Sequence, residues 1–311
     1  MKKRNIAVFM GMILLPLSFG SAAAGVNVSE KLSMLQSDAP ADRRAAISAL
    51  SGEDSEEVIQ AVAGLLTSDT DFTVRARAAE ILGNIRSRKA IPYLLDALED
   101  ENRNVKASAI VALGYIRDSN AVEPLMDFVR REENEGLRIS ALNVLGIIPD
   151  DRSVPLLMDS LNSESGRIRR IAAQSLGRLR SGEAVRALTD AASDEDKNVR
   201  LYAVRALGEI GEEEAAGSLK SLLNREDDIE LKVAIAHSLG QLGLDDGYSV
   251  ALDAARSDDT RIKRSGLRAL GIIGKSDAEV ENIVIEAYNS DDSSVKRDAQ
   301  TAASFLNIDL P

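Results

Sequence analysis

The apolar positions of this chain recur with two periods at once. Within Ser193–Leu223, the residues Val199, Ala203, Leu207 and Ile210 fall four, four and three apart. That spacing puts them on one face of an α-helix. A tight turn and a second amphipathic helix follow. The pair Leu207-Gly208 is written again at Leu82-Gly83, Leu113-Gly114, Leu145-Gly146, Leu176-Gly177, Leu239-Gly240 and Leu270-Gly271. The interval of roughly 31–33 residues is the self-similarity of a solenoid. Degenerate copies stand at Leu50-Ser51 and Ala303-Ser304.

Other positions repeat in step. Eight residues before each Leu is an apolar residue, as at Val74, Val105, Leu137, Ile168 and Leu231, and a basic residue follows it directly, as at Arg75, Lys106, Arg138, Arg169 and Lys232. Ala78, Ala109, Ala141, Ala172 and Ala203 stand four before the Leu, small enough to let two helices approach. The repeated Gly costs about 1 kcal/mol of helix propensity relative to Ala, so a packing reason is expected for it. A shorter apolar helix precedes each of these, with Pro92, Pro124 and Pro155 in its first turn, where a missing N–H is harmless. Asp-rich turns such as Ser68–Asp71 and Ser193–Asp196 offer N-caps to the second helix of each pair.

The Asp-rich turn, the Val-Arg pair, the Ala and the Leu-Gly-x-Ile, as in Asp196–Ile210, resemble the HEAT-repeat family in its short, phycobilisome-lyase-type form. The resemblance covers about residues 28–306. It implies an all-α fold, a right-handed α-solenoid of about nine helix-turn-helix repeats, whose second helices line the inner curve. Residues 25–311 then read as a single HEAT-like repeat domain, with atypical capping repeats at about 28–51 and 278–306. The tail Ile308–Pro311 is expected to fray.

Charge and composition narrow the partners. The chain of 311 residues has a formal net charge of −12. Without Lys2, Lys3 and Arg4 it would carry 35 basic against 50 acidic side chains, or −15. That argues against nucleic acid and anionic membrane as partners. Aromatics are only 3%, so small and branched aliphatics must fill the core. With no Cys there is no disulfide and no thiol chemistry. Met1–Ala24 has a basic start, an apolar run from Ile6 to Phe19 and the small residues Ser21–Ala24, the three parts of a secretory signal peptide cut after Ala24. A periplasmic or secreted protein is expected, with no membrane insertion after cleavage.

Candidate chemistry is sparse. His237 is the only histidine, expected on an exposed ridge, and no His-Glu-x-x-His string exists. The iron-dependent hydroxylases built on HEAT-like repeats need several His-Glu pairs, which this chain lacks. The acidic turns, including Asp258-Asp259 and Asp291-Asp292, lack the alternation and central Gly of a calcium loop and read as caps. The Val-Arg row reads as a ladder of ion pairs facing the acidic turns next door, worth about 0–1 kcal/mol each where exposed.

A more informative row lies six and ten residues past each apolar anchor. It reads Glu80/Asn84, Val111/Tyr115, Asn143/Ile147, Gln174/Arg178, Arg205/Glu209, His237/Gln241 and Arg268/Ile272. By the resemblance it faces the concave groove. From the fifth to the eighth repeat it is polar and basic: Arg170, Gln174, Arg178, Tyr202, Arg205, His237, Gln241, Arg264 and Arg268. These are the candidate partner-binding residues, for an acidic or extended protein or peptide. No catalytic residue, cofactor or metal is assigned. The expectation is therefore a non-catalytic interaction scaffold, monomeric on its own. The alternative is an enzyme like the phycobiliprotein chromophore lyases that the repeat resembles, which act on the cytoplasmic side, opposite to the leader. DNA glycosylases on HEAT-like folds are opposed by the acidity and the absence of Trp.

Overall fold

A computed structural model describes residues 28–311; the proposed signal peptide, residues 1–24, lies outside them. The described residues form eighteen α-helices in nine pairs and no strand. In order these are α1 (Val28–Met34) with α2 (Pro40–Ala49), α3 (Glu56–Ser68) with α4 (Phe72–Ile85), and α5 (Ile91–Asp96) with α6 (Arg103–Ile116). Then come α7 (Val122–Arg131) with α8 (Glu135–Leu145), α9 (Val154–Ser160) with α10 (Gly166–Leu179), and α11 (Val185–Ala191) with α12 (Lys197–Ile210). The last three pairs are α13 (Glu213–Arg225) with α14 (Ile229–Gln241), α15 (Tyr248–Ala255) with α16 (Thr260–Ile273), and α17 (Ala278–Tyr288) with α18 (Ser293–Leu306).

The turns start the second helices as their polar residues require. Asp71, Asn102, Asn134, Ser165, Asp196, Asp228, Asp259 and Asp292 are N-caps, and each side chain accepts a backbone N–H two or three residues on. The residue two before each cap has a second task. Asp69 and Asp100 accept the N–H of Asp71 and Asn102, at 2.9 and 2.7 Å. They also receive a guanidinium from the preceding repeat: Arg43 on Asp69 and Arg75 on Asp100, each at 2.7 Å. Lys106–Glu132 at 3.0 Å and Arg169–Asp194 at 2.7 Å repeat the arrangement.

The ladder is not continuous. Where the residue two before the cap is Ser, at Ser163, Ser257 and Ser290, the matching cations Arg138, Lys232 and Lys263 have no ion pair among the described residues. Arg138 Nε is buried there with no hydrogen-bond partner. Arg200 also misses its acid, and donates instead to the Asp194 and Glu195 carbonyls of its own turn.

The anchors Val74, Val105, Ile168 and Val199 are buried, as are Leu82, Leu113, Leu176 and Leu207. The repeated Gly is explained by contact with the next second helix. A Cβ on Gly83 would stand 2.6 Å from the Ala112 Cα, and one on Gly208 would stand 2.8 Å from the Ser238 Cβ. Ser238 in turn donates from Oγ to the Val204 carbonyl of α12 at 3.0 Å, and Ser175 donates likewise to Leu142.

Consecutive second helices consequently pack along their length, whereas consecutive first helices meet at few points. A stack tighter on one side curves toward it, so the second helices line the inner face. The buried aliphatics form one strip from Leu35 to Leu239 and another from Val233 to Leu306, which meet at α14.

Repeat four's second helix stops at Leu145, short of Ile148, because Pro149 disfavours helical backbone just before it. One local expectation needs correction. The tail after α18 does not fray. Ile308 donates its N–H to Ala303, and Ile308 and Leu310 pack on the second core strip.

Candidate functional site

The inner face is built from side chains four apart on successive second helices, so each repeat contributes one rung. Three depressions share residues along it. The first, about 340 Å³, lies between Ile147 past the end of α8 and Arg178 on α10. The second, about 170 Å³, runs from Gln174 and Arg178 to Tyr202, Arg205 and Glu209 on α12. The third, about 320 Å³, continues from Arg205 and Glu209 past His237 and Gln241 on α14 to Ser265 and Arg268 on α16. Arg178 joins the first to the second, and Arg205 with Glu209 joins the second to the third. Repeats four to eight thus carry one continuous groove.

Seven of the nine residues singled out in the sequence line this groove: Gln174, Arg178, Tyr202, Arg205, His237, Gln241 and Arg268. The other two do not. Arg264 is committed to Asp298 of the next repeat at 2.6 Å. Arg170 lies beside Tyr202, its guanidinium carbon 5.7 Å from the ring centroid, with Nε buried and unpartnered. The Arg205 guanidinium carbon stands at the same 5.7 Å from that ring. The phenol therefore supports two cations through its π-face.

The three cations of the second and third depressions have no carboxylate in ion-pair range among the described residues: Arg178, Arg205 and Arg268. Arg178 touches only Asn143 Oδ1, at 3.5 Å, and Arg268 touches Ser265 Oγ at 3.2 Å. In a chain of net charge −12 these are concentrated positive charge. Glu209 is the residue the sequence-based selection left out, although it stands on the same row. It is the one carboxylate on that row between repeats three and eight.

His237 departs from the ridge residue expected for it. It is half-buried in the groove floor. Burial lowers its imidazole pKa first, and the facing Arg268 and Arg205 lower it further, against a hydrogen bond to the Gln241 side chain that raises it. Burial and the two cations favour the neutral form of the ring.

Comparison with known proteins identifies the architecture. A profile of HEAT repeats matches residues 29–104, 92–176, 160–240 and 218–304, which is nearly the whole of the described chain. No curated protein matches the sequence. Among solved structures, a chain of the complex of Kap95p with RanGDP superposes with a TM-score of 0.62 at 14% identity, over 90% of this chain and 47% of that one. The Escherichia coli protein YibA gives 0.53 at 20% identity, over 81% and 93%. The CpcE–CpcF complex of phycocyanin lyase from Nostoc sp. PCC7120 gives 0.45 at 20% identity, over 85% and 98%. Likenesses this remote in sequence show the fold alone, and the last is too loose in shape to bear on chemistry. Nine helix pairs, the capped turns and the family match together place this chain in the HEAT-repeat family.

Proposed function

We propose that this protein is an exported, non-catalytic scaffold that holds a segment of a partner protein in the groove of its second helices. The observation that carries the reading is the continuous groove with three uncompensated guanidinium groups, set in an otherwise acidic chain. An extended concave wall offers a partner many weak contacts along its length, as repeat solenoids do. Export rests on the three-part leader. No helix among the described residues is long and apolar enough to cross a membrane.

Photo-crosslinking in intact cells tests both halves of the reading. A crosslinking residue at Gln241, in the groove, should give discrete protein adducts in the envelope fraction. The same residue at Gln60, exposed on the first helix α3, should give few. Equal adducts from both positions would sink the groove as the binding face. Mass spectrometry of the purified chain should show Gly25 as the first residue, and an intact Met1 would remove export.

A further inference from the structure

The groove changes chemistry along its length, and the change specifies what can lie in it. At repeats three and four the row is mostly apolar, with Asn143 its one polar residue. Val111 and Tyr115 on α6 are 45% and 49% exposed, unusual for side chains of their size, and Ile147 shares the first depression with Arg178. From Arg178 onward the row is cationic through Arg205 to Arg268.

Resting on the scaffold reading above, we propose that the groove takes one kind of ligand, an extended peptide segment with an acidic cluster and a separate apolar or aromatic anchor. The acidic cluster lies over Arg205 and Arg268. The anchor lies over Val111 and Tyr115, which continue the same row on α6 just beyond the first depression.

Charge and geometry support this choice. Every paired Arg or Lys of the turn ladder finds its carboxylate within the chain, as Arg75 and Arg169 do. Arg178, Arg205 and Arg268 do not, and their bidentate forks suit carboxylates supplied from outside. A long polyanion such as nucleic acid fits poorly. The groove's own lining includes Glu209 and Glu230 in the third depression and Asp150 and Asp151 in the first, which repel a polyanion lying along its whole length. A short acidic segment avoids that repulsion.

Packed helices lie about 8–10 Å apart. An extended peptide advances about 3.3 Å per residue, so about three residues span each repeat. The three-repeat step from Tyr115 to Arg205 then separates anchor from acids by about nine residues.

The test is selection of a displayed random 16-residue peptide library on the purified chain, followed by fluorescence anisotropy with synthetic copies of the enriched peptides. Enriched sequences should combine clustered Asp or Glu with Trp, Phe, Leu or Met about nine residues away. Arg205→Glu with Arg268→Glu should weaken them at least tenfold, and changing the peptide's acids to Lys should restore binding to that variant. Val111→Ser with Tyr115→Ser should weaken them about fivefold, and should leave peptides lacking the anchor unaffected. All four positions are at the surface, and circular dichroism checks that the variants fold.

Enriched peptides without acidic excess, without a spaced anchor, or indifferent to either pair of substitutions would overturn the bipartite groove while leaving the scaffold reading standing. Stronger competition by a single-stranded oligonucleotide than by the acidic peptide would overturn the choice of ligand. Failure to enrich any peptide, together with uniform crosslinking, would bring down both readings.

Discussion

Gly83 and Gly64 are both interior to helices, and the same substitution should act on them in opposite directions. A Cβ at Gly64 on α3 meets nothing within 4 Å, so Gly64→Ala should stabilise by about 0.5–1 kcal/mol through helix propensity. At Gly83 the Cβ would overlap the backbone of α6, and overpacking costs about 1–3 kcal/mol. Urea midpoints should rise for the first variant and fall for the second. His237 offers a second measurement at this scale, because it is the only histidine and gives one imidazole signal. Its titration by proton NMR should fall below the ordinary value of about 6.5. It should move up in Arg268→Gln. The folded pKa is the lower one, so between the two values the unfolded chain binds more protons. Stability from this group is therefore full above about pH 6.5 and is lost as pH falls through the folded value. A His237 signal titrating at or above 6.5 would mean that the ring is solvated and the groove open there.

At the scale of the element, the turn between helices is the informative unit. Its first polar residue ties back to the preceding repeat and its third caps the helix. Burial pushes the Asp100 carboxyl up, but the Arg75 and Asn102 hydrogen bonds outweigh it and hold the group below the usual carboxylate range. Its contribution is present above about pH 4 and is lost as pH falls through the lowered value. Asp100→Ala should cost about 1.5–3 kcal/mol, since a charge-assisted bond to a mostly buried Arg75 is broken. The exposed Arg77–Glu80 pair should be worth no more than about 0.5 kcal/mol. Repeat four lacks the acid. Ser163→Asp would give the buried Arg138 Nε the partner that Asp194 gives Arg169, and should stabilise by about 1 kcal/mol in chemical denaturation. No gain would show that Arg138 is satisfied by water.

At the scale of the molecule, each repeat touches its neighbours, so perturbations should stay local. Leu176→Ala removes a fully buried side chain and should cost about 2–5 kcal/mol. By hydrogen exchange, protection should drop in α8, α10 and α12, while α4 and α18 stay as in the unaltered chain. A uniform loss of protection would mean one cooperative unit. The two core strips meet at α14, which also carries His237 and Gln241 of the third depression.

The amino-acid pattern alone determined the helix pairs, their number, the caps and the row of positions four apart on the second helices; that this row faces the groove was implied by the family resemblance. Each of these depends on contacts a few residues apart or on a spacing repeated in register. It also held the breaks in the ion ladder. They follow from Ser in place of Asp or Glu about 25 residues after the cation, at Ser163, Ser257 and Ser290. Arg200, which misses Glu226, escapes that rule. Only the tertiary structure decided which cations stay free. Arg264 and Arg268 sit one helical turn apart on α16, and the first turns to Asp298 on α18 while the second turns into the groove. It also decided that His237 is half-buried between two arginines and that the last residues fold back. Which partner a side chain meets across a helix interface depends on how closely the backbones approach, and that distance is set by Gly, Ala and Ser positions on both helices together.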